Sequence, residues 1–142
     1  MKIYFAASIR GGRDESATYM RIVEQLRKYG EVLTEHVGDR ALTVAGEDSD
    51  DCFVHDRDLE WLKQADYLVA EVTTPSLGVG YEIGKATEWG KPALCLYRQT
   101  DIRPLSAMIS GCRGVTVRLY QHTDELPKIL DEYLKPTNDH NS

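Results

Sequence analysis

Cysteine is scarce in this 142-residue chain: Cys52, Cys95 and Cys112 are odd in number and form no CxxC pair. That leaves a disulfide framework or a structural metal without support, and it favours a reducing compartment. The four histidines, His36, His55, His122 and His140, share no ligand spacing. They are read as surface or site hydrogen-bonding groups, and no metal is expected. Basic residues are outnumbered, 17 Lys and Arg against 23 Asp and Glu, for a formal net charge of −6. Such a charge repels a phosphate polymer, so no nucleic-acid polymer is expected as a ligand. A single phosphate is different, because one or two local cations and a few backbone amides suffice to hold it. No segment approaches the ~20 apolar residues of a membrane span, and no signal-peptide-like stretch precedes the strand-like run that opens at Met1. A cytoplasmic protein without membrane contact is expected, with the nucleus as the alternative.

What is present is an alternation of short β-rich runs and longer helical patterns, the signature of a parallel sheet covered by helices. The expected strands are Lys2–Ala7, Glu31–Glu35, Tyr67–Val72, Ala93–Tyr97 and Gly114–Leu119. Tyr19, Ile22, Val23, Leu26 and Tyr29 share one helical stripe, with Gly30 as the C-terminal stop. Further helices are expected over Val54–Ala65, Val79–Trp89 and Thr123–Leu134, the last capped by Thr123, with a short turn over Leu105–Ser110. The fold class is α/β: a Rossmann-like or flavodoxin-like doubly wound five-stranded parallel sheet in a single domain over residues 1–135. A mobile acidic loop is expected at 38–52 and a disordered tail at 136–142. In such sheets ligands bind beyond the carboxyl ends of the strands.

Three loci carry chemistry. After the first strand, Ser8-Ile9-Arg10-Gly11-Gly12-Arg13 leads into a helix. Its glycines let backbone amides approach an anion, while the hydroxyl and guanidinium add donors. The alternative is a plain glycine turn, since neither the Walker pattern nor GxGxxG is present. The second locus runs from Thr73 through Ser76, Gly78 and Gly80 to Glu82, which is expected in the first turn of a helix. A carboxylate there either complements the helix dipole or serves as a nucleophile aimed into the crevice. The glycines would let a substrate come close. At the third, Asp58 falls within the apolar stripe Val54, Trp61, Leu62 and Ala65. An acid on a buried face needs a specific partner or lines a cavity. Tyr4, four positions before Ser8, could orient a carboxylate or be plain core.

The segments IYFAASIRGGR, VLTEHV, HDRDLEWL, EVTTPSLGVGYEIGKA and RPLSAMI occur in this order. Together they resemble the 2'-deoxynucleoside 5'-phosphate N-hydrolases of the nucleoside 2-deoxyribosyltransferase superfamily, from about Ile3 to Tyr133. The resemblance implies a homodimer without cofactor that hydrolyses the N-glycosidic bond of nucleoside 5'-monophosphates. It assigns Glu82 as the nucleophile that forms a covalent glycosyl intermediate, Tyr4 as its positioning residue, and Asp58 as the acid near the base. Phosphate binding falls on Ser8, Arg10 and Ser76, with Ser106 donated across the dimer interface. Ile9, Gly11, Gly12, His36, Gly78, Gly80 and Met108 complete the implied substrate-binding set. Ala7 departs from the pattern, since relatives can carry glycine there.

The two carboxyls also make chemical sense without the resemblance. One can capture or stabilise an oxocarbenium-like centre while an acid protonates the leaving group. Three rival readings remain: a nucleoside deoxyribosyltransferase, a ribonucleoside monophosphate hydrolase, and a nucleotide-binding module without catalysis. A phosphate clamp of Ser8, Arg10, Ser76 and Ser106 argues against the first, and the set Tyr4, Asp58 and Glu82 against the last.

Overall fold

A computed structural model describes residues 1–9, 12–34, 50–99 and 104–134, with residues 12–14 described by their backbone alone. The acidic loop before residue 50 and the tail lie outside the described residues, as do Arg10, Gly11 and His36. Strands β1 (Lys2–Ala7), β2 (Glu31–Leu33), β3 (Tyr67–Glu71), β4 (Ala93–Arg98) and β5 (Val115–Tyr120) alternate with helices α1 (Gly12–Leu26), α2 (Asp51–Gln64), α3 (Leu77–Glu88), α4 (Ala107–Ser110) and α5 (Leu126–Leu134). All pairings are parallel and the strand order is β2-β1-β3-β4-β5. This is the doubly wound order expected of a flavodoxin-like sheet, and the connections reverse direction between β1 and β3.

The three inner strands are buried on both faces, so they read as apolar runs rather than alternating ones. Ile3, Phe5, Val69, Leu94 and Leu96 pack against Ile22, Val23 and Leu26 of α1 and Leu130 of α5. On the other face Tyr4, Ala6, Leu68, Ala70 and Cys95 meet Leu62 of α2 and Val79, Ile83 and Ala86 of α3. The helical stripe from Tyr19 to Leu26 is thus core, and Tyr29 packs against its edge.

Several boundaries differ from the expected ones, each for a local reason. Helix α2 starts at Asp51 because Asp50 caps it, its carboxylate accepting from Phe53 N at 2.7 Å. The end of the acidic run is therefore a helix start, where negative charge complements the amide dipoles. Helix α3 starts at Leu77 because Ser76 accepts from Val79 N, which puts Glu82 in the second turn and Gly78 and Gly80 within the helix. Strand β2 stops at Leu33, two residues short of the expected Glu35. Strand β5 runs one residue later than expected because Tyr120 is buried and still paired to Arg98. Thr123 is not a cap: the segment Thr123–Glu125 is a 3₁₀ turn, and Glu125 reaches back to accept from the amides of Gln121 and His122. Gly30 does not stop α1 by a left-handed conformation. It is needed because a Cβ there would lie 2.2 Å from the Met1 carbonyl oxygen. Gly90 follows α3 with φ +74, the conformation that favours glycine after a helix.

Candidate active site

A cleft of about 640 Å³ opens at the β1/β3 reversal, between the carboxyl end of β1 and helices α2 and α3. Its position follows from the topology, because adjacent connections leaving in opposite directions leave a crevice there. Strand β1 supplies Tyr4 and, just past its end, Ser8 and Ile9; α2 supplies Asp58; the α3 entry supplies Ser76, Gly78 and Glu82. Seven residues expected in the site, scattered from 4 to 82 in the sequence, thus share one cavity.

The Tyr4 hydroxyl donates to the Glu82 carboxylate. Tyr4 is buried in the α2/α3 layer and Glu82 is half-buried, so the bond fixes the carboxylate from its protein side. The register explains why they meet: Tyr4 and Ala6 face α3, and Glu82 lies beside the buried ridge of Val79, Ile83 and Ala86. Asp58 is buried in the middle of α2, and the polar demand of that position is met by Arg57, whose Nε and Nη2 both lie 3.0 Å from Asp58 Oδ1. The Arg57 guanidinium in turn covers the Trp61 ring at 4.8 Å and the Phe53 ring at 5.8 Å. A stacked guanidinium loses little freedom on pairing, so the acid is held rigidly. Sequence reasoning flagged Asp58 as anomalous but did not name Arg57 as its partner.

Three of the expected residues lie elsewhere. Gly80, Ser106 and Met108 line a second groove of about 600 Å³ between α3 and α4 and do not line the cleft with Glu82. Ser106 caps α4, accepting from Met108 N at 3.2 Å. The two cavities share the wall Pro75, Ser76, Leu77 and Val79. Gly12 begins α1, and only its backbone is described.

Two features escaped the sequence reading. At the cleft wall His55 and Tyr81 are bonded to each other, Nε2 to hydroxyl at 2.9 Å. Helical spacing was the available signal, since His55 is three residues before Asp58 and on its face. The other is a buried polar cluster on the α1 side of the sheet edge. Glu71 is fully buried at the end of β3, where it accepts from Thr73 N at 2.9 Å, Thr73 Oγ1 at 2.7 Å and the Tyr120 hydroxyl. Burial pushes its carboxyl above the usual carboxylate range, against the opposing effect of those bonds, and the Glu15 charge adds to the rise. Burial and then Glu71 likewise raise the Tyr120 phenol. Arg98 pairs with Glu15 of α1, and its backbone amide donates to Thr73 Oγ1 at 2.8 Å. The cluster ties the β3–α3 turn, which carries Ser76, to β4, β5 and α1. An acid inside the otherwise apolar YLVAEV run was its sequence signal.

Among the described residues no group of three or more His, Cys, Asp or Glu side chains is arranged to hold a metal, and no helix is long and apolar enough to cross a membrane. Fold and cleft together define a doubly wound α/β domain with a tyrosine-held carboxylate and a second, arginine-paired carboxylate in one ligand crevice. Residues 3–126 match the Nucleoside 2-deoxyribosyltransferase family, and the chain belongs to it. It is 52% identical over 137 residues to the 5-hydroxymethyl-dUMP N-hydrolase of Rattus norvegicus, covering 94% of this chain and 84% of that protein. Among solved structures the fold resembles the CMP N-glycosidase BcmB of Clostridium botulinum, with TM-score 0.64, 20% identity and coverage of 92% and 99% of the two chains. It also resembles a 2-deoxyribosyltransferase of Bacillus psychrosaccharolyticus, with TM-score 0.63, 17% identity and coverage of 89% and 90%.

Proposed function

We propose that the chain hydrolyses the N-glycosidic bond of 2'-deoxynucleoside 5'-monophosphates to free base and deoxyribose 5-phosphate, with 5-hydroxymethyl-dUMP as a substrate. The observation that carries this is the Tyr4–Glu82 hydrogen bond in a cleft that also holds Asp58. Glu82 attacks the anomeric carbon as the base departs, giving a glycosyl ester that water then cleaves. Tyr4 aims the carboxylate, and Asp58 stands at the base and assists its protonation. The two half-reactions follow the logic of retaining glycosidases, in which one carboxylate captures an oxocarbenium-like sugar. A 2'-deoxy sugar reaches that state more readily because it lacks the electron-withdrawing hydroxyl. Ser8 and Ser76, beyond the carboxyl ends of β1 and β3, hold the 5'-phosphate together with Arg10, so binding energy remote from the reacting bond orients the sugar.

The working unit in this reading is a homodimer in which Ser106 of one subunit reaches the cleft of the other. The groove that holds Ser106 supports it: Leu77 and Met108 are 96% and 82% exposed there, and its wall is shared with the cleft at Ser76. The free thiols Cys52, Cys95 and Cys112 fit a cytoplasmic setting.

The test is release of free base from a panel of ribo- and deoxyribonucleoside 5'-monophosphates and the matching nucleosides. Deoxynucleotides should be cleaved far faster than their nucleosides. Equal rates on both would remove the phosphate clamp from the account, and no release from any nucleotide would end it.

A further inference from the structure

We infer that His55 and Tyr81 form the element that selects the substrate base by its 5-substituent, reading a hydroxyl on the pyrimidine; this rests on the hydrolase reading above. Both line the cleft beside the two carboxylates, His55 one helical turn before Asp58 on α2 and Tyr81 next to Glu82 on α3. Exposure rises along this wall: Asp58 is buried, Glu82 is half-buried, and His55 and Tyr81 are exposed. The pair therefore closes the solvent-facing end of the compartment, beyond the acid that stands at the base. A substituent projecting from the base away from the sugar reaches this rim.

The hydrogen-bond pattern fixes what the rim can read. His55 Nδ1 lies 2.9 Å from Asp56 Oδ1, and an ionised carboxylate only accepts, so in the neutral ring Nδ1 carries the proton. Nε2 is then an acceptor, and the Tyr81 hydroxyl donates to it at 2.9 Å. The rings lie 5.5 Å apart at 45°, and Lys85 Nζ sits 5.7 Å from the Tyr81 ring centroid. A hydroxymethyl group inserted between them donates its O–H to Nε2 and accepts the O–H of Tyr81, so one bond is replaced by two. A methyl group can do neither and leaves the pair bonded to itself. Discrimination is accordingly modest, worth about one exposed hydrogen bond, or about two- to tenfold in rate.

The experiment measures kcat/KM for 5-hydroxymethyl-dUMP, dTMP and dUMP with the wild-type protein, Tyr81→Phe and His55→Phe. These substitutions keep an aromatic ring at exposed positions, and dUMP turnover in each preparation reports an assembled site. The expected result is a fall of about two- to tenfold in the ratio of 5-hydroxymethyl-dUMP to dTMP, with the loss mainly on the hydroxymethyl substrate. Two outcomes would overturn the inference: an unchanged ratio, or equal losses on all three substrates, which would make the pair a latch between α2 and α3. Either leaves the hydrolase reading standing, because the wild-type protein would still release base. A wild-type protein inactive on all three would remove both.

Discussion

Replacing Tyr4 by Phe removes one oxygen atom from a buried side chain and leaves the ring packed among Ala6, Leu68 and α3. The change removes the bond donated to Glu82, which the proposed mechanism uses to aim the nucleophile. A hydrogen bond to a charged group contributes about 1.5–3 kcal/mol. Converted at 1.36 kcal/mol per tenfold, that is a slowing of about 10- to 150-fold if the bond matters fully in the transition state. Stability should change by under about 1 kcal/mol, because Glu82 is half-exposed and water can replace the lost donor. Steady-state kinetics on a deoxynucleoside monophosphate, alongside thermal unfolding, separate the two effects. If Tyr4 positions the nucleophile and does not grip the phosphate, as proposed, the loss should appear in kcat with KM little changed. An unaltered kcat, or a loss confined to KM, would refute the positioning role.

Other consequences follow from the same geometry. Asp58→Asn should keep the fold and slow cleavage most for poor leaving bases; equal slowing across good and poor leaving groups would show that Asp58 takes no part in protonation. If the proposed shared-site homodimer forms, Glu82→Ala and Ser106→Glu should each be inactive alone and regain about a quarter of wild-type activity when refolded together, because random pairing would make half the dimers mixed, each with one intact site. No recovery in demonstrated mixed dimers would remove Ser106 from the partner's cleft. For Glu71, a folded-state pKa above the unfolded one means that the proton is held longer in the folded protein. Its stabilising contribution is present below the ordinary value of about 4.3 and is lost as pH rises through the raised value. Relative to Glu71→Gln, wild-type stability measured by denaturant should therefore decline as pH rises from about 4.3; a parallel pair of curves would contradict the raised pKa.

Much of this was legible in the sequence, for identifiable reasons. Strand β1 was read to the residue because its apolar run is bounded by the Ser8 loop, and the inner strands were recognisable because burial on both faces leaves unbroken apolar stretches. Asp58 stood out because an acid in an apolar stripe violates the helical pattern. Strand order was not legible, since periodicity carries no information about which strands pair. Helix starts were misplaced at Asp51 and Leu77 because Asp50 and Ser76 were read for charge and ligand chemistry while their side chains were capping amides. Partners distant in sequence also escaped. The Glu71–Tyr120 bond spans 49 residues and the His55–Tyr81 bond 26, and only the sheet order and helix packing bring them together.

The proposed chemistry turns on Glu82, and the most direct measurement is base release by Glu82→Ala against the wild-type protein on 5-hydroxymethyl-dUMP. Glu82 lies in the second turn of α3 beside the core ridge, so its removal should leave thermal stability nearly intact. If it is the nucleophile, turnover should fall by about a thousandfold or more, equivalent to at least about 4 kcal/mol of lost transition-state stabilisation. A folded Glu82→Ala protein that releases base at a rate near the wild-type one would contradict the mechanism.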